Sequence, residues 1–329
     1  MRLGGNAKYL ANISDKSDIP NALEWAEEKK LPVIMIGIGS NIVWGDDGFD
    51  GLVLVNKIRG IKITKVDSES SYLEVGAGEN WDKMVLQSTK AGLHGIEALS
   101  LIPGTVGATP VQNVGAYGQE VADTLVSIEA YDSHKKAFVT ILGEQCKFGY
   151  RTSRFNTTDR SRFFITSLKF LLSTDLPTPP FYPTLQKTLD EAGVKKYTPQ
   201  IIRDAVIDVR SRKLPDPKKI ANNGSFFGNP IISKDLFDKI SKKYSTIPGW
   251  PTSDGRVKVS AAWLIEKVGF KNFHDSKTGM ATWPTQSLVL VNEKATHTAD
   301  LIIFRDRIIR DVHHEFGITL RQEPELISS

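Results

Sequence analysis

Cysteine is nearly absent from this chain of 329 residues: Cys146 stands alone. A single thiol can form no intrachain disulfide and no cysteine-based metal cluster, which points to a reducing compartment. Long apolar runs are missing too. The longest, Val33 to Ile38, falls far short of the ~20 residues that cross a bilayer. The opening Met1-Arg2-Leu3-Gly4-Gly5-Asn6 lacks the apolar stretch of a signal peptide, so a cytoplasmic protein without membrane attachment is expected. Charge of one sign is scarce. Against 42 Lys and Arg stand 38 Asp and Glu, and a net +4 gives no nucleic-acid footprint unless it is concentrated. With 40% apolar and 24% charged residues, wholesale disorder is excluded and about two globular domains are expected.

What is present is a mixture of short strand and helix signals. Pro20 precedes an amphipathic stretch, Ala22–Lys30, and Pro32–Gly37 reads as a buried strand running into a glycine turn. Further strand signals lie at Leu52–Val55 and Tyr72–Val75, with a helix signal at Glu79–Ala91 closed by Gly92. Between Ala98 and Gly118 no period survives, which predicts a long structured loop, and loops of that length are usually functional. Strands resume at Leu125–Tyr131, Ala137–Leu142 and Phe163–Leu172, and the prolines at 177, 179 and 180 read as a linker or surface excursion. Helices are expected from Thr198-Pro199 to Lys213, near Lys234–Lys243, over Ser260–Val268 and over Thr298–Phe316, with a strand at Ser287–Val291. The class is α+β.

Several segments bear on chemistry. In Gly37-Ile38-Gly39-Ser40-Asn41-Ile42 the paired glycines allow a sharp turn that offers N–H groups to an anion. A Rossmann fingerprint is excluded, because Ile42 replaces its third glycine and Asp46-Asp47-Gly48 stands where a helix should run. A plain strand–turn–strand is the alternative. Pro103-Gly104-Thr105-Val106-Gly107-Ala108 and the following Asn113, Gly115 and Ala116 form a run slender enough to approach a flat, acceptor-rich ligand such as a flavin dinucleotide; otherwise it is a self-packed loop. Tyr150-Arg151 and Arg154 could clamp a carboxylate or phosphate, or pair at the surface. Ser225, between Gly224 and Phe226-Phe227, suits a tight turn that presents its hydroxyl to an apolar pocket. No G-x-S-x-G or nearby histidine supports a hydrolase there. Glutamates near the C-terminus, Glu325 among them, are usually solvated, and adjacent His313-His314 cannot face one metal. The eight basic residues between Lys195 and Lys219 read mostly as the solvated face of a helix.

In their order along nearly the whole chain, these segments resemble the UDP-N-acetylenolpyruvoylglucosamine reductase (UDP-N-acetylmuramate dehydrogenase) family. Lys213-Leu214-Pro215-Asp216-Pro217, Gly224-Ser225-Phe226-Phe227, Gln286–Asn292 and Glu323-Pro324-Glu325 add to the likeness. The resemblance implies an FAD-binding fold of the vanillyl-alcohol-oxidase type, two α+β subdomains clamping FAD, plus a C-terminal α+β substrate-binding domain. The expected division is 1–59 joined by 318–329, then 60–212, then 213–317. It implies non-covalent FAD held by Gly37, Ile38, Gly39, Ser40, Asn41, Ile42, Pro103, Gly104, Thr105, Val106, Gly107, Ala108, Asn113, Gly115 and Ala116. NADPH is the implied co-substrate and a UDP-sugar enolpyruvyl ether the substrate, with Tyr150, Tyr182, Lys213, Asn229 and Gln286 as its contacts, no metal, and a monomer. Catalytic roles fall to Arg151 on the substrate carboxylate, Ser225 as acid and Glu325 as orienting or relaying group. Gly228 and Ile327 stand where the family often carries basic residues. The rival readings are an oxidase of the same fold, a non-catalytic nucleotide-binding relative and, last, a nucleic-acid binder.

Overall fold

Hydrophobic residues gather into separate cores, and the chain divides accordingly. The computed structural model describes residues 1–328. One unit contains residues 7–40 and 50–212; the other contains 1–6, 41–49 and 213 onward.

In the first unit, strands Ala7–Ile13, Phe49–Asn56 and Val33–Ile36 form a sheet in that order, packed on helix α1 (Asp18–Glu28) through Ile13, Ile19, Ala26, Leu52 and Leu54. Val33–Ile36 is a strand as expected, but all four of its residues are only half-buried. Its apolar run does not mark a central strand. It lies at the sheet edge, parallel to one neighbour.

The larger sheet of this unit runs Ala137–Leu142, Leu125–Asp132, Phe163–Ser173, Ser70–Gly76, Ile61–Lys65, antiparallel throughout. Alternation puts Leu73, Val75, Ile128, Leu168 and Phe170 on one face, where Trp81, Met84 and Val85 of helix α2 (Trp81–Lys90) cover them. Asn80 starts that helix, its Oδ1 accepting the Lys83 N–H at 2.9 Å. After the prolines come α3 (Pro183–Glu191) and α4 (Pro199–Lys213), which share a small core of Leu185, Leu189, Ile202 and Val206.

The second unit has a four-stranded sheet, Ala221–Ser225, Gln286–Asn292, Met280–Trp283, His274–Asp275, and helices α5 (Lys234–Lys243), α6 (Ala261–Lys267) and α7 (Thr298–Phe316). Its core holds Phe226, Phe227, Leu264, Leu290, Phe304 and Ile308, all fully buried. Helix α7 ends at Gly317, whose φ of +67° closes it in the left-handed conformation. Among the described residues no helix is long and apolar enough to cross a membrane.

Candidate functional site

In the first unit the two glycine loops lie against each other. A Cβ on Gly37 would stand 2.2 Å from Thr105 Oγ1, so only glycine allows this approach. Ser40 Oγ donates to the Pro103 carbonyl at 3.4 Å and lies 3.4 Å from where a Gly104 Cβ would be. The second loop is fixed from behind by Trp81 N–H to Gly104 O (3.2 Å), Val106 N–H to Glu79 O (2.9 Å) and Gly107 N–H to Ala77 O (2.8 Å). Val106–Ala108 is a short 3-10 turn, and the N–H groups of residues 106 to 109 are all taken, those of Ala108 and Thr109 by Thr105 O and Val106 O within the loop. Those of Ile38, Gly39, Gly104 and Thr105 make no hydrogen bond to described residues. They line the cradle formed by the two loops, where Gly39 has φ +71° and open space at its Cβ position and the Ile38 side chain stands exposed. Backbone donors left unused beside two glycine loops fit a flavin dinucleotide, which carries a pyrophosphate and a ring of acceptors.

Beyond this loop the chain makes a hairpin that its glycine content concealed. Gly115–Ala116 pairs with Gln119–Glu120 across Tyr117 (φ +50°) and Gly118 (φ +86°), the two left-handed residues of a tight hairpin turn. Arg151 rests on it. The Arg151 Nη2 donates to the Gly115 carbonyl at 2.9 Å, and the guanidinium carbon lies 5.3 Å from the centre of the Tyr150 ring. Arg151 occupies a second tight turn, closed by Gly149 and Thr152, with φ +55°. Asn113 ties the two turns together: Nδ2 donates to Glu120 Oε2 (2.7 Å) and to Gly149 O (3.3 Å), and Oδ1 accepts the Ala122 N–H (3.0 Å).

Two cations in the basic stretch are not on a solvated face. Arg203 is buried and grips Asp82 through both nitrogens (2.6 and 3.0 Å). Arg210 has a buried Nε with no partner among the described residues, and burial lowers its pKa, opposed chiefly by Tyr117. Tyr117 packs edge-on against half-exposed Tyr182, ring centres 5.8 Å apart. Spacing could have shown this: with Ile202, Val206 and Val209, Arg203 and Arg210 fall on the apolar stripe of α4.

In the second unit Ser225 ends a strand at a register slip rather than sitting in a tight turn. Gly224, φ +70°, makes the slip, and its N–H is held by Asn222 Oδ1 at 2.9 Å. The next two side chains, Phe226 and Phe227, are core, so the backbone on that side of Ser225 is anchored. Phe226 N–H donates to Leu288 O (2.7 Å), and Phe226 O accepts the Glu323 N–H (2.9 Å). Glu325 lies exposed in strand Glu325–Ile327, parallel to Ile42–Trp44, its N–H on Asn41 O at 3.0 Å. Asn41 Nδ2 reaches Glu323 O (3.2 Å) and Asn223 Nδ2 reaches Ile42 O (3.2 Å). The segments bearing Asn41, Ser225 and Glu325 are thus laced into one hydrogen-bonded patch. Asn229 Oδ1 accepts the first N–H of α6, from Ala261, at 3.0 Å. Lys213 is exposed, its carbonyl taking the Thr285 hydroxyl at 2.7 Å, and Gln286 opens its strand opposite Trp283.

Residues 7–137 match the model of an FAD binding domain, and residues 216–327 that of the UDP-N-acetylenolpyruvoylglucosamine reductase C-terminal domain. The chain is 38% identical to UDP-N-acetylenolpyruvoylglucosamine reductase of Ralstonia nicotianae, over 99% of this chain and 95% of that protein. It is equally identical to the Pseudomonas putida protein of the same name, over 97% and 93%. A solved reductase structure from Thermus caldophilus superposes with a TM-score of 0.65 at 21% identity, covering 96% of this chain and 91% of that one, which bears out the expected fold. With an FAD-binding domain, the reductase C-terminal domain and that identity over nearly its full length, the chain belongs to the UDP-N-acetylenolpyruvoylglucosamine reductase family.

Proposed function

We propose that the protein reduces UDP-N-acetylglucosamine enolpyruvate to UDP-N-acetylmuramate with NADPH and non-covalently bound FAD. It thereby serves peptidoglycan precursor synthesis, and through it cell-wall growth, shape and division, as a cytoplasmic monomer. One observation carries the reading: the FAD-binding and reductase C-terminal matches occur in one chain, and the second contains Ser225, Asn229, Gln286 and Glu325.

When bound, FAD supplies hydride transfer from the nicotinamide to the terminal alkene carbon of the enolpyruvyl group. The chain's residues manage the charge and the proton. As hydride arrives, negative charge spreads from the adjacent carbon into the carboxylate, and Arg151 holds that carboxylate through its planar fork. Ser225 Oγ–H gives its proton to the carbon bearing the carboxyl group. A serine is a weak acid in water, so this step needs a dry pocket and a strongly basic enolate. Glu325 orients that hydroxyl or relays the replacement proton. Tyr150, Tyr182, Lys213, Asn229 and Gln286 bind the UDP-sugar.

The test is an assay of NADPH oxidation by FAD-loaded protein with and without the enolpyruvyl substrate, run both under nitrogen and in air. Substrate-dependent oxidation with a product two mass units heavier is expected. Oxidation that needs oxygen and ignores the substrate would mean an oxidase, and none at all a non-catalytic relative.

A further inference from the structure

Glu97 is a carboxylate at 1% exposure, and the proposed reaction makes no use of it. Burying a charge is expensive, and an apolar residue of similar size would usually stabilise a core better. Its environment is complete. Oε1 accepts His94 Nδ1–H (2.7 Å) and the Gln119 amide (2.9 Å), and Oε2 accepts the Gly95 N–H (2.7 Å). Burial alone would raise the Glu97 carboxyl, but His94 and the Gly95 N–H bring it below its ordinary range, while the hydrogen bond to Glu97 holds His94 above its own.

Gln119 carries this order outward. Its Nε2 is on Glu97 and its Oε1 accepts the Ala98 N–H at 2.8 Å, so both ends of the amide are fixed to the 97–99 turn. Gln119 belongs to the hairpin whose other strand offers the Gly115 carbonyl to Arg151. Two strands of two residues each cannot hold a position by themselves. The hairpin's place is imposed from outside through its second strand, where Gln119 is tied to the 97–99 turn and its neighbour Glu120, the partner of Gly115, accepts from Asn113.

We infer that Glu97 and Gln119 are positioning residues for Arg151: the buried carboxylate fixes the Gln119 amide, the amide fixes the hairpin, and the hairpin carbonyl aims the guanidinium. The inference rests on the reading that Arg151 grips the substrate carboxylate. A guanidinium displaced by a fraction of an ångström loses its fit to a carboxylate while the fold survives.

The experiment compares Gln119→Leu, Arg151→Lys and the double variant as FAD-loaded holoenzymes, with anaerobic stopped-flow of each half-reaction. Side-chain nitrogen NMR of the Arg151 guanidinium is recorded in the wild type and in Gln119→Leu. Gln119→Leu is expected to slow oxidation by the enolpyruvyl substrate by about 10- to 100-fold. Reduction by NADPH, the flavin spectrum and the melting temperature should stay close to wild type, and the Arg151 resonance should move. The double variant should be no slower than Arg151→Lys alone. An unmoved resonance, equal slowing of both half-reactions, or multiplying effects in the double variant overturns the inference. A moved resonance with Arg151→Lys as active as wild type leaves the positioning intact and overturns the catalytic reading of Arg151 instead. Glu97→Gln supplies a second variant, expected to act in the same direction provided it retains the flavin spectrum.

Discussion

The two units hold their candidate residues by opposite means. In the unit of residues 7–40 and 50–212 the cradle is made by leaving side chains out: Gly37, Gly39 and Gly104 let backbones approach or turn where a Cβ would collide or strain. In the other unit Ser225 is placed by its chain neighbours, two buried phenylalanines that fix the backbone at a strand slip. The first arrangement is vulnerable to added atoms and tolerates little variation in shape. The second is vulnerable to loss of one polar atom, and its frame outlives that loss.

The largest effect should come from deleting that atom. Ser225→Ala removes a hydroxyl and leaves Phe226 and Phe227 in place, so stability should change by only about 1 kcal/mol. Reduction by NADPH needs no proton from Ser225 and should persist. Oxidation by the enolpyruvyl substrate should slow by about 10²–10⁴-fold, the usual worth of a general acid. Anaerobic stopped-flow separates the two steps. Equal slowing of both would make Ser225 a shaping residue, and no slowing would pass the proton to another group, with Glu325→Gln the next variant.

Adding one atom to the first unit should give the next effect. Gly37→Ala puts a methyl 2.2 Å from Thr105 Oγ1, so the loops must part, which costs about 1–3 kcal/mol as overpacking generally does. Flavin retention during purification should fall sharply. Gly39→Ala meets nothing within 4 Å and suffers only its left-handed backbone, about 1–2 kcal/mol, with a closer-to-normal flavin content. Flavin absorbance per protein and urea melts measure both. If Gly37→Ala binds flavin as well as wild type, the close approach of the loops is not what forms the cradle.

Much of the fold is legible in the residues alone. The helix at Thr298–Phe316 has a 3.6-residue apolar period and a closing glycine, signals that are local and strong. The order of the motifs located both candidate regions. What escaped had a long-range cause. Val33–Ile36 reads as buried because apolar content does not tell an edge strand from a central one, and α3 (Pro183–Glu191) was obscured by the prolines ahead of it. Arg203 looks solvated until Asp82, 121 residues away, is seen to hold it. The Tyr117-Gly118 turn was hidden in a loop already rich in glycine. Asp46 counted against a Rossmann helix after Gly37 but gave no hint of its partner: its carboxylate accepts the Thr298 and Ala299 N–H groups (2.6 and 2.9 Å), at the start of α7.

One carboxylate in each unit extends the comparison from site to stability. Asp132, in the first unit, has a side chain at 1% exposure and accepts from Arg162 Nε and Nη2 (2.9 and 2.7 Å) and from the His134 N–H (3.0 Å). The Arg162 hydrogen bonds, opposed by desolvation, lower its pKa from 3.8 to about 2. Because the folded value lies below the unfolded one, its stabilisation is complete above about pH 4 and disappears as pH falls through about 2. Screening around the partly exposed Arg162 leaves about 1–2 kcal/mol of it. Asp132→Asn should be less stable than wild type by that amount at pH 7 in urea melts, with the gap closing towards pH 2. A gap that stays constant with pH would mean that Asp132 acts only as a neutral hydrogen-bond acceptor.

The smallest effect belongs to Asp46, in the second unit. Its carboxylate lies at the positive end of α7, and the Thr298 N–H, opposed by desolvation and aided by the Ala299 N–H, lowers its pKa. The sign is the same as for Asp132: stability is present above the ordinary carboxylate range and lost as pH falls through the lowered value. The residue is exposed, so solvent and salt weaken the charge term, and loss of the capping hydrogen bonds decides the size. Asp46→Ala should destabilise the protein by about 1 kcal/mol at pH 7. Asp46→Asn keeps one acceptor and should recover about half of that. Flavin content should not change in either, because the cap touches no residue of the glycine loops. Flavin loss in Asp46→Ala at unchanged urea midpoint would break the comparison, showing that a residue outside the first unit governs the cradle directly.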